Sequence, residues 1–333
     1  MEFMKQIQEK ARQAPKRILF PESGEEMILR AAQRVAELGI ARPVLLGREA
    51  EIEALAGQWG IPTCGFAYLD HEDGALMDRL VEEYLAAVDL YLEKSLRRKF
   101  KDPLNFAAGA VRVGWADCLA AGYTCATGEV VRAAQMFIGM RPGIATASSL
   151  GIVEFPQWDR GSQGNFLVFT DCAVQPRPTA EELADIAVAS SYTVQSLLGW
   201  EPRVAMLSFS TAGSAQHEDV DTVAAAVDLA RQKAPGLLVD GEFQLDSAIV
   251  PAVAAKKVRR DSPVAGKANI LVFPNLGAGN IGIKMTQIFC GTVAYGPMLQ
   301  GFLKPVTDFS RSAPLEEIVG NLAMLVVCAG GGA

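Results

Sequence analysis

Lys304, Asp308, Ser310 and Arg311 crowd the exit of the apolar run Tyr295–Gly301. A strand exit that carries a cation, a hydroxyl and a guanidinium is where an open α/β sheet places ligand chemistry. Similar groups follow other apolar runs: Thr127 with Arg132, Ser210 with Thr211, and Asn280 with Lys284. Gly277, Gly279, Asn280 and Gly282 form a glycine-rich turn that opens the helical segment bearing Lys284. Free N–H groups at such a helix start favour an anion. Ser208, Ser210, Thr211 and Ser214 surround Gly213 just after a buried run. They read either as a phosphate or carbonyl cradle or as a plain Ser/Thr turn. Convergence of these groups makes a site for an oxyanion. Taken singly, each is equally a loop that needs glycine or a solvated charge.

Such groups need strands and helices to hold them. Arg17–Phe20, Pro43–Leu46, Gly65–Leu69, Asp117–Ala121, Asn165–Thr170, Arg203–Leu207, Leu237–Asp240 and Ala268–Pro274 read as short buried strands. Helical patterns alternate with them. Alternation of this kind predicts a parallel sheet with right-handed crossovers, hence an α/β fold. Ser23 reads as the N-cap of a helix over Glu25–Leu38, and Thr179 with Glu182 as a capping box. Leu76–Arg98 reads as one long helix ending in the basic run Arg97–Lys101. That run is either a solvated helix end or a contact for phosphates. Ala145–Ile152 changes character and marks a domain boundary.

Composition excludes several functions. The net charge of −7 argues against nucleic-acid binding, which needs clustered positive charge. The six cysteines form no Cys-x-x-Cys pair, and His71 and His217 are the only histidines, so no metal site is expected. Most cysteines sit beside apolar runs and are expected to be buried free thiols. No signal peptide and no membrane-length apolar run is visible, which predicts a soluble, cytoplasmic protein. The first strand is not followed by Gly-x-Gly-x-x-Gly, and neither a P-loop nor a Gly-x-Ser-x-Gly elbow occurs. The residues alone therefore predict an α/β enzyme that binds a phosphate-bearing small molecule between two lobes.

Longer stretches carry a resemblance. Arg17–Glu22, Gly39–Gly47, Arg141–Gly143, Asp171–Glu182, Pro202–Thr211, Val239–Glu242, Ser262–Lys267, and the stretches KANILVFPNLGAGNIGIK and GPMLQGFLKPVTDFSR resemble the phosphate acetyltransferase (phosphotransacetylase) family. The resemblance implies two α/β domains, similar to isocitrate and isopropylmalate dehydrogenases, with the active site between them. It implies a first domain of residues 1–147 plus 303–333, a second of residues 148–302, and a homodimer. It also implies acetyl transfer between coenzyme A and phosphate, in acetate metabolism, by direct attack of the thiol on acetyl phosphate. Coenzyme A is then a substrate, and no separate cofactor is needed.

Residue roles follow from the same resemblance. Ser310 corresponds to the serine that bonds the reacting carbonyl or thiol, and Arg311 to the arginine that binds the phosphoryl group. Glu317 stands where the family has an aspartate that deprotonates the thiol. Arg132, Thr127, Ser210, Thr211, Asn280, Lys284, Gln300, Lys304 and Asp308 are the expected substrate-binding set. The chain departs from the family pattern at Ser312-Ala313-Pro314, at Ala212 in place of a lysine, and at Ile288 in place of an arginine. These departures imply an alternative: altered acyl preference, for propionyl or butyryl groups, or a weakened paralogue serving as a binding or assembly subunit.

Overall fold

The computed structural model describes residues 2–331. Among them run eleven strands: β1 (Lys16–Phe20), β2 (Ala41–Leu46), β3 (Ala67–Leu69), β4 (Cys118–Ala121), β5 (Ser148–Glu154), β6 (Phe166–Thr170), β7 (Arg203–Leu207), β8 (Leu238–Phe243), β9 (Ile270–Val272), β10 (Val293–Gln300) and β11 (Val306–Asp308). The chain forms two compact α/β units. The first comprises residues up to Gly139 and those from Phe302 onward; the second is Met140–Gly301.

In the first unit the strand order is β3-β2-β1-β4-β11, and every neighbouring pair is parallel. The returning tail supplies both strand β11 and the helix Leu315–Gly330. That helix buries Ile318, Val319, Leu322, Met324, Leu325 and Val326 against β1, β4 and the helices Glu2–Gln13 and Glu26–Glu37. A helix apolar on nearly every face is a core helix. A second cluster packs Tyr84, Phe100, Phe106 and Phe137 against one another.

In the second unit the order is β10-β5-β6-β9-β7-β8. Here the expected all-parallel sheet is corrected. β5 is antiparallel to both β10 and β6, and only β6, β9, β7 and β8 run parallel. β5 escapes a reading of the sequence because its residues, SSLGIVE, open with small side chains that look like a loop. The reading of Leu76–Arg98 as one helix also fails. Val88 leaves helical geometry (φ −143°), splitting it into Gly74–Ala87 and Glu93–Lys99. The intervening Tyr91 turns inward, donates to the Met136 carbonyl (3.1 Å) and stacks on Phe137. Ser23 is not a cap: its hydroxyl donates to the Phe20 carbonyl and accepts from the Leu46 N–H, tying the ends of β1 and β2 together. The capping box is present, with Thr179 N–H on Glu182 (2.8 Å) and Glu182 N–H on the Thr179 hydroxyl (3.3 Å). Cys118 and Cys172 are buried, Cys125 and Cys328 half-buried, and Cys64 and Cys290 exposed, so the expectation that most of the thiols are buried holds for two of the six.

The glycine-rich start of the helix Leu276–Cys290 has a steric reason. A Cβ on Gly279 would lie 2.3 Å from the Asp171 carbonyl oxygen. Backbone cannot yield as a side-chain tip can. Gly279→Ala should destabilise the protein by about 1–3 kcal/mol in thermal or urea denaturation.

Candidate active site

The parallel strands β1, β4 and β11 end side by side in the first unit, and their exits build the candidate site. Glu22 follows β1 by two residues. Its carboxylate accepts from the N–H groups of Tyr123 (3.0 Å), Thr124 (2.7 Å) and Cys125 (2.9 Å) and from the Thr124 hydroxyl (2.7 Å). This fixes the loop after β4 and aims the helix Thr127–Ala133, whose first turn is closed by Glu129 accepting from Ala126 N–H (2.9 Å).

Asp308 ends β11 and is 6% exposed. Its Oδ2 accepts from the Thr127 hydroxyl at 2.6 Å, while its buried Oδ1 has no hydrogen-bond partner among the described residues. Oδ1 lies over Gly122, where a Cβ would sit only 2.0 Å away, so this strand exit requires glycine. Burial raises the Asp308 carboxyl to about 6; the Thr127 bond opposes the rise and the neighbouring Glu22 charge adds to it.

Beyond Asp308 the chain turns at Ser310, whose carbonyl accepts from Ala313 N–H (3.0 Å). Ser310 and Ser312 hydroxyls are 3.2 Å apart, and both residues are exposed. Arg311 is exposed and donates to the Thr124 carbonyl at 3.2 Å, so its guanidinium lies against the loop that Glu22 holds. Pro314 is the N-cap of the final helix, and its carbonyl accepts from Glu317 and Ile318 N–H. The proline is accommodated because an N-cap needs no N–H of its own. Glu317 sits in the first turn, and partial desolvation raises its carboxyl above the usual range.

Beside this loop lies a cavity of about 540 Å³ lined by Glu22, Lys99, Asn105, Thr124, Cys125 and Arg132, among others. Lys99 comes from the basic run noted in the sequence. Arg97 of the same run is instead paired with Asp78 and Glu93 on the surface. The Cys125 thiol is pushed up to about 11, by burial first and by Glu22 second. It stays protonated at neutral pH and is a poor nucleophile.

The structure thus gathers Thr127, Asp308, Arg311 and Arg132 around the loop after β4 and the helix it leads into. Lys304 is elsewhere. It precedes β11 while Asp308 ends it, which separates them by about 13 Å at 3.3 Å per strand residue. The sequence groups them because a strand as short as β11 gives no apolar signal of its own. Glu22, Cys125 and Gly122 are site residues that the sequence reading misses. The only signal for Glu22 is an acid directly after the proline that stops β1.

The other expected residues lie in the second unit. Ser210 and Thr211 are buried, and their hydroxyls close their own loop: Ser210 donates to Glu242 (2.7 Å), and Thr211 accepts from Gln244 N–H (2.9 Å). Gln300 is buried with Nε2 at 2.9–3.1 Å from the hydroxyls of Ser148, Thr170 and Ser190. Asn280 donates to the Cys172 carbonyl (3.2 Å), and Lys284 lies one turn further along that helix. Among the described residues no three His, Cys, Asp or Glu side chains group to hold a metal, and no helix is long and apolar enough to cross a membrane.

Comparison with known proteins gives first the fold class and then the family. A 4-hydroxythreonine-4-phosphate dehydrogenase from Klebsiella pneumoniae superposes with a TM-score of 0.54 at 11% identity, over 95% of this chain and 100% of that one, which shows a shared dehydrogenase-like fold. A phosphotransacetylase from Streptococcus pyogenes matches far better: TM-score 0.89, 34% identity, 99% of both chains. The phosphate acetyltransferase of Thermoanaerobacterium thermosaccharolyticum is 43% identical over 98% of this chain and 99% of its own. The family model described as phosphate acetyl/butaryl transferase matches residues 2–326. The chain belongs to that family.

The raised Asp308 carboxyl has a measurable consequence. An aspartate has a pKa near 3.9 when unfolded, so between about pH 4 and 6 the folded state binds the extra proton. Stability from this group is therefore greatest in acid and is lost as pH rises through about 6. Asp308→Asn should stabilise the protein at pH 7 by on the order of 1–3 kcal/mol and give no gain at pH 4. Denaturant titrations at the two pH values check this.

Proposed function

We propose that this chain is a cytoplasmic phosphate acetyltransferase that interconverts acetyl-CoA plus phosphate with coenzyme A plus acetyl phosphate. The observation that carries the reading is family membership over residues 2–326, together with Ser310 and Arg311 on the loop beside the cavity of Arg132 and Lys99.

The chemistry follows from the groups present. The thiol of coenzyme A loses its proton to Glu317, whose raised pKa makes it a stronger base than an ordinary carboxylate. The sulfur attacks the acetyl carbonyl, and the developing oxyanion is met by the Ser310 hydroxyl. Collapse breaks the C–O bond to phosphate, which leaves with the bonding pair. Arg311 holds that phosphate through paired N–H donors. Arg132 and Lys99 add positive charge for the phosphates of coenzyme A. Cys125 takes no part as an acyl carrier, because its thiol is held protonated.

Thioester formation from acetyl phosphate and coenzyme A, followed by its absorbance, tests the reading. Arg311→Ala should lower the rate by about 100-fold or more. Wild-type activity in that variant would remove Arg311 from the phosphate site. Propionyl and butyryl phosphates run alongside read the acyl preference.

A homodimer completes the reading. On the helix Leu276–Cys290, Ile281, Met285, Ile288 and Phe289 are exposed at 60%, 52%, 75% and 77%. Their spacing forms one apolar stripe, and Val293 of β10 adds to it at 50% exposure. A second copy presenting the same stripe would cover it, and an isologous contact uses one patch on both partners. Replacing Ile288 and Phe289 together by aspartate should give a folded monomer in sedimentation or light scattering. A double variant that runs at the same size as the wild type would place the contact elsewhere.

A further inference from the structure

The second unit holds a larger cavity that the acetyl-transfer reading does not use. Its volume is about 810 Å³, and its lining combines the loop Thr211–Ser214, Glu242 at the end of β8, and Lys256, Lys257, Arg259 and Arg260. Four cations face one mouth.

Among the described residues, two of the four are paired and two are not. Arg260 is fixed by the fully buried Asp240, donating to both of its oxygens at 2.7 Å, and lies over the Phe243 ring. Arg231 also donates to Asp240, at 2.9 Å, and is itself paired with Asp228 at 3.4 Å. Lys257 is paired with Asp246 at 2.8 Å. Lys256 and Arg259 have no ion-pair partner among the described residues and are exposed. A helix C-terminus accounts for Lys256 and Lys257 in its last turn, but Arg259 and Arg260 lie beyond it.

The one carboxylate in the lining is already engaged. Glu242 is 5% exposed, and its Oε1 accepts from the Ser210 hydroxyl (2.7 Å) and Gly213 N–H (2.9 Å). This wrapping turns Ala212 to φ +50°, a backbone conformation that side chains other than glycine disfavour. The loop is thereby held as a fixed wall opposite the cations. Strain retained at a cavity wall is common where a ligand is clamped.

We infer that this cavity, lined by none of the residues given a role in acetyl transfer above, is a binding site for a phosphate-bearing small molecule of nucleotide size. Arg260, whose terminal nitrogens are taken up by Asp240 and the Gly241 carbonyl, is a fixed part of the wall. Lys256 and Arg259, exposed and without an ion-pair partner among the described residues, are the cations that meet the phosphates. The volume lies in the range of small-molecule sites, which run to roughly 300–1,000 Å³.

Calorimetric titration of the full chain with ADP, and with adenosine as the uncharged comparison, tests this. The expected result is one ADP per chain, no adenosine binding, and weakening by about tenfold or more in the double variant Lys256→Ala/Arg259→Ala, which removes two charge-assisted contacts. Both substituted residues are exposed, so folding is preserved, and a melting curve verifies it. Acetyl transfer without ADP should be unchanged in that variant. Failure of ADP to bind, or equal binding to both proteins, would overturn the site. An increased KM for coenzyme A in the double variant would also overturn it, by making the cavity part of the substrate site. The ADP titration is readable whether or not the chain transfers acetyl groups.

Discussion

Buried carboxylates that collect backbone N–H groups set the geometry of this protein's loops. Glu22 gathers the three N–H groups after β4. Asp171, just past β6, accepts from Ser149, Ala173, Val174 and Gln175 N–H. Asp185 holds the N–H groups of Ala145 and Thr146, and Glu242 holds Gly213. A loop N–H turned away from water must find an acceptor, and an ionised carboxylate is a strong one. Each acid sits at or near the end of a strand or on a core helix, so each loop takes its position from the rigid part of its unit. Without Glu22, the segment from Tyr123 to Arg132 would lose the contact that fixes it relative to β1.

The second layer of the site depends on that first one. Thr127 can reach Asp308 only because the helix carrying it starts where the Glu22-held loop ends. Asp308 in turn fits only because Gly122 has no side chain. Two carboxylates then stand near each other. Glu22 has four donors and Asp308 has one, and burial raises the proton affinity of Asp308.

Much of the fold is legible in the sequence. Short apolar runs such as RILF and RVAML become strands within a residue or so, because a buried parallel strand has few other ways to be written. β5 and β11 are not legible. One opens with two serines, and the other is only three residues long and ends in aspartate. Missing them has consequences for the site. Without β11, Lys304 and Arg311 look like one crowded exit. Without β5, the antiparallel half of the second sheet is invisible. Glu22 is illegible for a different reason: its partners are about a hundred residues further along, and nothing local distinguishes it from a solvated surface acid. The hydroxyls of Ser210 and Thr211 show the converse. Their types suggest a cradle, but they are consumed in holding their own loop.

The charge distribution explains how a protein of net charge −7 can serve anionic substrates. Many of its acids are paired on the surface, as with Arg48 between Glu51, Asp70 and Glu72, where water and salt screen them. Others are buried with their charge turned toward backbone donors. The cations at the two cavities are arranged the other way. Arg132 and Arg259 are exposed and have no ion-pair partner among the described residues, while Arg260 is braced from behind by Asp240. A ligand approaching either cavity therefore meets local positive charge, although the whole molecule is negative. At ionic strengths where the Debye length is near 10 Å, that local arrangement outweighs the distant net charge.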